Sequence, residues 1–307
     1  MKLPEIDPIQ DETLINELEP AFEIILDEHY ASSKGWAPYE LINYDEARNF
    51  NSVNPWKPED YPISDALRSA IYVNLLTEDN LPYYSNTLLE LTKDSKLFYE
   101  WIHTWIMEEH RHPEAIRNWV YASRAIDPKF LENGRIKQMS KGEVPEPLSR
   151  ADMFIYTAMQ ELATQVAHRN TGRALPTYDK TGKKVMGYVA GDEFRHHVVN
   201  SDTVVEGLKI TPNHLVFAAH RQIMNFKMPG TGIPDFETHS KLISDIGIYG
   251  IEQFLEGVLQ PVLDKWKLED VSGLNAQAEQ AIIEINKRAA LLGRIVLRQK
   301  EKESLTV

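Results

Sequence analysis

The chain has 307 residues, 42% of them apolar, and its 33 basic and 46 acidic side chains give a formal charge of −13. This composition predicts a folded globular protein and argues against a general binder of nucleic acids or anionic membranes. Because cysteine is absent, disulfides, cysteine nucleophiles and cysteine-ligated metal clusters are excluded, and a bound metal must be held by histidine and carboxylates.

The predicted elements are helices. Apolar residues recur at helical spacing along most of the chain, and alternating strand patterns are scarce, so we predict an all-α protein with a single domain over residues 1–307. The segment 36–62, rich in Pro, Asn, Tyr and Asp, is predicted to be an irregular cover over one end. The approximate helices are 11–32, 64–92, 96–123, 128–139, 150–170, 183–209, 212–226, 236–266 and 276–302.

Signals for targeting, membrane insertion and nucleotide binding are not found. The first twelve residues lack the apolar segment of a signal peptide, and no run approaches the roughly 18 apolar residues of a membrane span. We therefore expect a cytoplasmic protein without a membrane span. The Gly-Thr-Gly string at 230–232 lacks the third glycine of a dinucleotide loop, so no nucleotide cofactor is expected.

Two five-residue strings of the same form lie within predicted helices. EEHRH at 108–112 and DEFRH at 192–196 each contain an acid, a glutamate, an arginine and a histidine in the same order. A glutamate and a histidine three residues apart are neighbours on one helix face, so each pair can bind one metal centre. A third such pair, Glu100 and His103, lies nine residues earlier on the opposite face of its helix, and we interpret it as an exposed helix contact.

An isolated glutamate precedes each string on another predicted helix. Glu78 lies 31 residues before Glu109, and Glu161 lies 32 residues before Glu193. This order is typical of ferritin-like four-helix bundles, in which two helices each supply one Glu and two supply Glu-x-x-His to a pair of iron or manganese ions. We predict such a core with additional packed helices, its ligand helices being 64–92, 96–123, 150–170 and 183–209.

The ligand types suit two divalent cations. Four carboxylates balance the charge of the two ions in a buried site, and two neutral imidazoles leave coordination positions open. An oxygen-rich site with two histidines favours iron over tetrahedral zinc, and the ligand types leave manganese open. The six predicted metal ligands are Glu78, Glu109, His112, Glu161, Glu193 and His196.

Four stretches together resemble the soluble acyl-[acyl-carrier-protein] desaturase family, the stearoyl-type enzymes and their actinobacterial relatives. They are TEDNLP at 77–82, EEHRH at 108–112, QELAT at 160–164 and DEFRH at 192–196. The resemblance extends from ELEP at 17–20 to about residue 225, and the actinobacterial branch is the more similar. It implies a di-iron oxidoreductase of fatty acid biosynthesis that uses dioxygen to introduce a cis double bond into a carrier-bound acyl chain. Ferredoxin as electron donor and a homodimer are implied as well.

The resemblance also assigns roles within the predicted metal centre. It implies that Glu78 and His112 bind one iron, that Glu161 and His196 bind the other, and that both ions are bridged by the remaining two predicted ligands, Glu109 and Glu193.

Further roles outside the ligand set follow from the same resemblance. Asp192 is expected to accept a hydrogen bond from His112, and by the internal repeat Glu108 does the same for His196. Thr164 matches a hydroxyl beside the oxygen site that supports proton delivery.

The resemblance also concerns a tryptophan and a further histidine. Trp36, rather than the similar Trp56, is expected to start an electron path, because it follows the first predicted helix. His168 lies seven residues after Glu161 on nearly the same helix face, but the family has a histidine there that is not a ligand, so we do not count it as one.

Other interpretations stay open at the level of sequence. The same ligand pattern occurs in other ferritin-like di-iron oxygenases and in ribonucleotide reductase-like proteins, and a non-catalytic bundle that binds an acyl carrier or stores iron also fits. A basic stripe on the last predicted helix is either a docking face for an acidic acyl carrier or an ordinary solvated surface. Its members are Lys287, Arg294, Arg298 and Lys302.

Overall fold

The computed structural model describes residues 2–141, 144–230 and 232–304. All regular secondary structure in these ranges is helical, which confirms the predicted all-α class. The helices are α1 Pro8–Ser32, α2 Asp65–Glu78, α3 Leu81–Thr92, α4 Lys96–Ser123, α5 Pro128–Lys141, α6 Arg150–Ala174, α7 Lys180–Ile210, α8 Pro212–Asn225, α9 Phe236–Asp245, α10 Ile251–Phe254, α11 Gln260–Trp266 and α12 Ala276–Ser304. A π-helical turn, Leu255–Leu259, joins α10 to α11.

The predicted helix 64–92 is wrong as one element, because α2 ends at Glu78 and α3 begins at Leu81. Pro82 lies in the first turn of α3 and has no amide hydrogen to donate to the carbonyl of Glu78. At the break, Asp79 accepts hydrogen bonds from the guanidinium of Arg135 on α5. The break is therefore fixed by a contact with a distant helix as well as by proline.

The predicted helix 236–266 is also interrupted, between α9 and α10. Gly247 has a φ of 69°, in the left-handed region that glycine adopts without steric cost and that ends a helix. The carbonyl of Ile248 accepts a hydrogen bond of 2.9 Å from the Asn170 amide on α6. The interruption is thus fastened to one of the central helices.

Segment 36–62 has the predicted irregular character, with short 3₁₀ turns at Pro38–Glu40, Tyr44–Glu46 and Pro58–Asp60. Arg124, at the C-terminal end of α4, holds this segment by donating to Asp60 and to the carbonyls of Asn54 and Pro55. The buried Arg124 side chain therefore anchors the segment to α4 through charge-assisted hydrogen bonds.

The central bundle is formed by α2, α4, α6 and α7, with α6 and α7 in contact along much of their length and α1 packed against α7. Buried apolar side chains form two clusters, one around the N-terminal half of α4 and one around its C-terminal half. Trp105 belongs to the first cluster and Ala115 to the second. Three buried polar residues between them on α4, Glu108, Glu109 and His112, therefore lie in the interior of the bundle. Within the described ranges, no helix combines the length and apolar character needed to cross a lipid bilayer.

Candidate metal centre

The central bundle brings together all six side chains predicted to bind metal. Each of the four helices contributes: α2 and α6 carry one glutamate each, while α4 and α7 each carry a glutamate and a histidine three residues later. All six residues are buried, and they are Glu78, Glu109, His112, Glu161, Glu193 and His196. Helical spacing places each Glu-x-x-His pair on one face, and the bundle turns those faces toward each other.

The ligating atoms form two groups of four that share Glu109 and Glu193. In the first group, His112 Nδ1 lies 3.5 Å from Glu78 Oε2, 3.3 Å from Glu109 Oε2 and 3.4 Å from Glu193 Oε1. In the second, His196 Nδ1 lies 2.6 Å from Glu109 Oε1 and 3.7 Å from Glu161 Oε2. The two oxygens of Glu109 thus face different histidines, the arrangement that a bridging carboxylate requires.

Several of these buried atoms have no hydrogen-bond partner among the described residues. They are Glu109 Oε1, His112 Nδ1, Glu161 Oε2, Glu193 Oε1 and His196 Nδ1. Buried polar atoms without partners are costly and rare in folded proteins. Because the five converge on one place and are all metal-ligating atoms, the residues fit a bound pair of metal ions.

The electrostatics of the cluster also favour cations. Burial raises the pKa of Glu161 well above its ordinary value, and the charges of Glu109 and Glu193 raise it further. Burial lowers the pKa of His112, but the nearby carboxylates, Glu109 foremost, outweigh this effect and raise it well above its ordinary value. The pKa of His196 is raised in the same way. The cluster therefore has an excess of negative charge, which divalent cations can neutralise.

Outside the six, Asp192 lies beside His112. Its Oδ2 is 3.4 Å from His112 Nε2 and also accepts hydrogen bonds of 2.9 Å from Trp36 Nε1 and from Arg111. The other Oδ atom is 2.7 Å from the Arg195 guanidinium. Burial acts to raise the pKa of Asp192. Nearby positively charged and hydrogen-bonding groups, His112 foremost, outweigh burial and lower this pKa to about 2. An ionised carboxylate can fix the His112 ring with Nδ1 toward the cluster.

Glu108 has the equivalent place beside His196, with Oε2 2.8 Å from His196 Nε2. Glu108 also contacts a residue that the sequence did not indicate, His29 on α1, whose Nε2 is 3.2 Å from the same oxygen. Another contact without a sequence signal is made by Trp105, whose indole N–H donates to Glu161 Oε1 at 3.0 Å. In the sequence, the positions of His29 and Trp105 have no pattern that distinguishes them from ordinary core residues.

Thr164 and His168 on α6 both reach the cluster. The Thr164 hydroxyl lies 2.7 Å from Glu193 Oε2, to which it can donate. His168 Nε2 lies 2.8 Å from Glu78 Oε1, so His168 contacts a predicted ligand and is not a member of either group of four. The structure thus places both side chains at the cluster, and their roles stay predictions.

The Glu100–His103 pair lies at the exposed surface of α4, as predicted. The exposed Glu100 side chain pairs with Lys96, and His103 is exposed as well. Trp56 donates to the carbonyl of Arg124 and has no contact with the cluster. The basic stripe on α12 is exposed at all four positions.

Two apolar pockets adjoin the cluster at different residues. The first reaches Glu78, Thr164 and His168, and its apolar walls include Val73, Ala167, Met228, Phe236, Ile243 and Tyr249. The second reaches Glu161, and its walls include Leu88, Phe98, Trp101, Trp105 and Phe154. A pocket of this composition suits an apolar chain.

A sequence model of the fatty acid desaturase family matches residues 10–306. The chain belongs to this family.

Among its relatives, the acyl-[acyl-carrier-protein] desaturase DesA1 of Mycobacterium tuberculosis is 31% identical over 282 residues, covering 88% of this chain and 83% of DesA1. The chloroplastic stearoyl-[acyl-carrier-protein] 9-desaturase of Gossypium hirsutum is 27% identical, covering 81% of this chain and 66% of that protein. These matches confirm the predicted resemblance and the predicted enzyme class, a desaturase.

The crystal structure of the desaturase DesA2 from Mycobacterium tuberculosis has a similar fold. It superimposes with a TM-score of 0.70 at 20% identity, covering 87% of this chain and 98% of DesA2. The predicted ferritin-like helical class is confirmed.

Proposed function

We propose that the protein is a dioxygen-dependent di-iron desaturase that acts on fatty acyl chains attached to acyl carrier protein. The observation that carries the proposal is the pair of buried four-residue groups sharing Glu109 and Glu193, with unsatisfied ligand atoms and an apolar pocket at their edge. Two relatives named acyl-[acyl-carrier-protein] desaturases support this substrate class.

The reaction removes one hydrogen from each of two neighbouring carbons and, with dioxygen, two electrons and two protons, yields a double bond and two waters. Unactivated carbon–hydrogen bonds are not acidic, so acid–base catalysis by side chains does not break them. Two iron ions held by the six residues would supply the oxidising chemistry that these bonds require.

The chain's own residues position the reactants and exclude water. The apolar walls of the first pocket, Met228 and Phe236 among them, would hold the acyl chain beside Glu78 and keep water out. Thr164 would hold a proton next to Glu193. Asp192 and Glu108 would hold the imidazoles of the two predicted histidine ligands in place.

Electrons would come from a separate protein, for which we propose a ferredoxin. Trp36, the first residue of the irregular segment 36–62, connects through Asp192 to His112. We retain iron over manganese, a homodimer, a single domain and a cytoplasmic location as predictions.

The deciding experiment incubates iron-loaded protein with a series of acyl carrier proteins, ferredoxin, its reductase and dioxygen. Mass spectrometry of the released fatty acids should show the loss of two hydrogens at one position. Aldehyde or hydroxylated products would indicate another kind of di-iron oxygenase. Iron uptake without any product would indicate storage.

We propose the basic stripe on α12 as the docking face for the acyl carrier. Replacing Lys287, Arg294, Arg298 and Lys302 by glutamate reverses four exposed charges on α12, so affinity for the acidic carrier should fall at least about tenfold at low salt. Surface plasmon resonance against immobilised acyl carrier protein measures the change. As a control, three exposed lysines outside α12, Lys93, Lys96 and Lys180, are replaced by glutamate. Unchanged binding by the α12 variant would place the docking face elsewhere.

A further inference from the structure

The internal repeat of the metal centre extends to the residues that contact its predicted histidine ligands. Each predicted histidine ligand directs its Nε2 toward a carboxylate on the other Glu-x-x-His helix: His112 toward Asp192, and His196 toward Glu108. Each carboxylate then meets a ring N–H from the N-terminal part of the chain. That donor is Trp36 for Asp192, and the corresponding ring beside Glu108 is that of His29.

The two carboxylates differ in how many other donors they have. Asp192 has two close guanidinium contacts, 2.9 Å from Arg111 and 2.7 Å from Arg195. The same two arginines lie 3.8 Å and 3.9 Å from Glu108, beyond hydrogen-bond distance. Within the described part of the chain, His29 and His196 are the side chains that hydrogen-bond to the Glu108 carboxylate.

We propose that His29 is a positioning residue for His196, acting through Glu108 to fix the imidazole in the tautomer and orientation that direct Nδ1 toward the metal centre. This inference rests on the proposed metal centre and adds a residue to it. His29 thus corresponds to Trp36, which donates a hydrogen bond to Asp192, the carboxylate beside His112.

Tautomer chemistry supports this role. An ionised carboxylate oxygen only accepts hydrogen bonds, so both His29 Nε2 and His196 Nε2 must carry a hydrogen where they face Glu108. The neutral His196 ring then has its lone pair on Nδ1, which is the atom beside Glu109 and Glu161. The tautomer that a metal requires is therefore set by Glu108, and His29 helps to hold Glu108.

Packing keeps His29 in place. Its side chain is about 1% exposed, its ring meets Trp101 edge-on with centroids 5.0 Å apart, and it lies roughly parallel to the His196 ring at 5.9 Å. The Ser32 hydroxyl donates to the His29 carbonyl at 2.8 Å in the last turn of α1. A rigid donor of this kind can determine the position of a buried carboxylate.

The test is a titration of metal-free protein with Co²⁺, followed by visible absorption and calorimetry. Wild-type protein should bind two ions. His29→Phe, which keeps a ring but loses the donor, should lower the affinity for one of the two ions by about 10 to 100 fold and leave the other within about threefold. His29→Gln, whose amide can donate to Glu108, should recover most of the loss.

Two controls separate positioning from general damage. Trp36→Phe should lower affinity less than His29→Phe, because Asp192 keeps its two arginines. His214→Phe removes another buried histidine that contacts a carboxylate, Asp11, at 3.0 Å, and should leave both Co²⁺ affinities unchanged. If His29→Phe does not fold, His29→Met provides the variant without a donor.

Wild-type affinity for both ions in the His29→Phe or His29→Met variant would overturn the inference. So would an equal loss at both ions, since His29 is proposed to act on His196 alone. Failure of the wild-type protein to bind two ions would instead overturn the proposed metal centre, so the two failures are distinguishable.

Discussion

Replacing Glu109 by glutamine is expected to abolish desaturation, with a loss of at least about 10³-fold, and to reduce bound iron from two ions per chain to one or fewer. The two carboxylate oxygens of Glu109 face different histidines, 3.3 Å from His112 Nδ1 and 2.6 Å from His196 Nδ1. An amide has one oxygen and no charge, so it cannot bridge two cations as a carboxylate does. Iron content by mass spectrometry and turnover with an acyl carrier substrate measure the two effects.

The same helix offers a matched control for this variant. Glu100 belongs to the Glu-x-x-His pair on the exposed face of α4, where its carboxylate pairs with the Lys96 ammonium, at 3.6 Å. Glu100→Gln makes the identical chemical change nine residues earlier and should leave iron content and activity at wild-type levels. An active Glu109→Gln enzyme with two irons would contradict the proposed centre.

Replacing Trp119 by alanine is expected to lower the free energy of unfolding by about 3 to 5 kcal/mol. The Trp119 side chain is 1% exposed and lies in the second apolar cluster on α4. Its indole N–H donates to Asp179 Oδ2 at 2.9 Å, and Asp179 also caps α7 by accepting from the Gly182 amide at 2.7 Å. The variant therefore leaves a cavity and removes a hydrogen bond at the start of a ligand helix.

Urea denaturation followed by circular dichroism measures this loss. Trp119→Phe keeps most of the ring and removes the indole N–H, so it should cost clearly less than the alanine variant. A change below about 1 kcal/mol for Trp119→Ala would show that the contacts around this ring contribute little to stability.

The sequence was sufficient for the parts of the site that depend on local geometry. The repeated Glu-x-x-His strings and their similar distances from Glu78 and Glu161, 31 and 32 residues, predicted which six side chains would meet, because helix periodicity fixes which residues share a face. The all-α class followed from the same periodicity. Asp192 and Glu108 were found because they occur within the repeated strings.

Features that depend on distant partners were missed. The break after Glu78 involves Arg135, which is 56 residues from Asp79 in sequence. His29 gave no signal because its partner, Glu108, is 79 residues away and α1 has no motif around it. Tertiary contacts of this kind are determined by packing and not by local pattern.

The end of α2 at Glu78 makes the two halves of the centre mechanically unequal. Glu161 lies in the middle of the 25-residue helix α6, whereas Glu78 is the final helical residue before a break, and Pro82 offers its carbonyl no amide hydrogen. Carboxylates often change between one-oxygen and two-oxygen coordination as the charge on a metal changes. Arg135 holds the break at Asp79, but the Glu78 carbonyl has no helical amide donor, so adaptation to a change of oxidation state should be concentrated on that side.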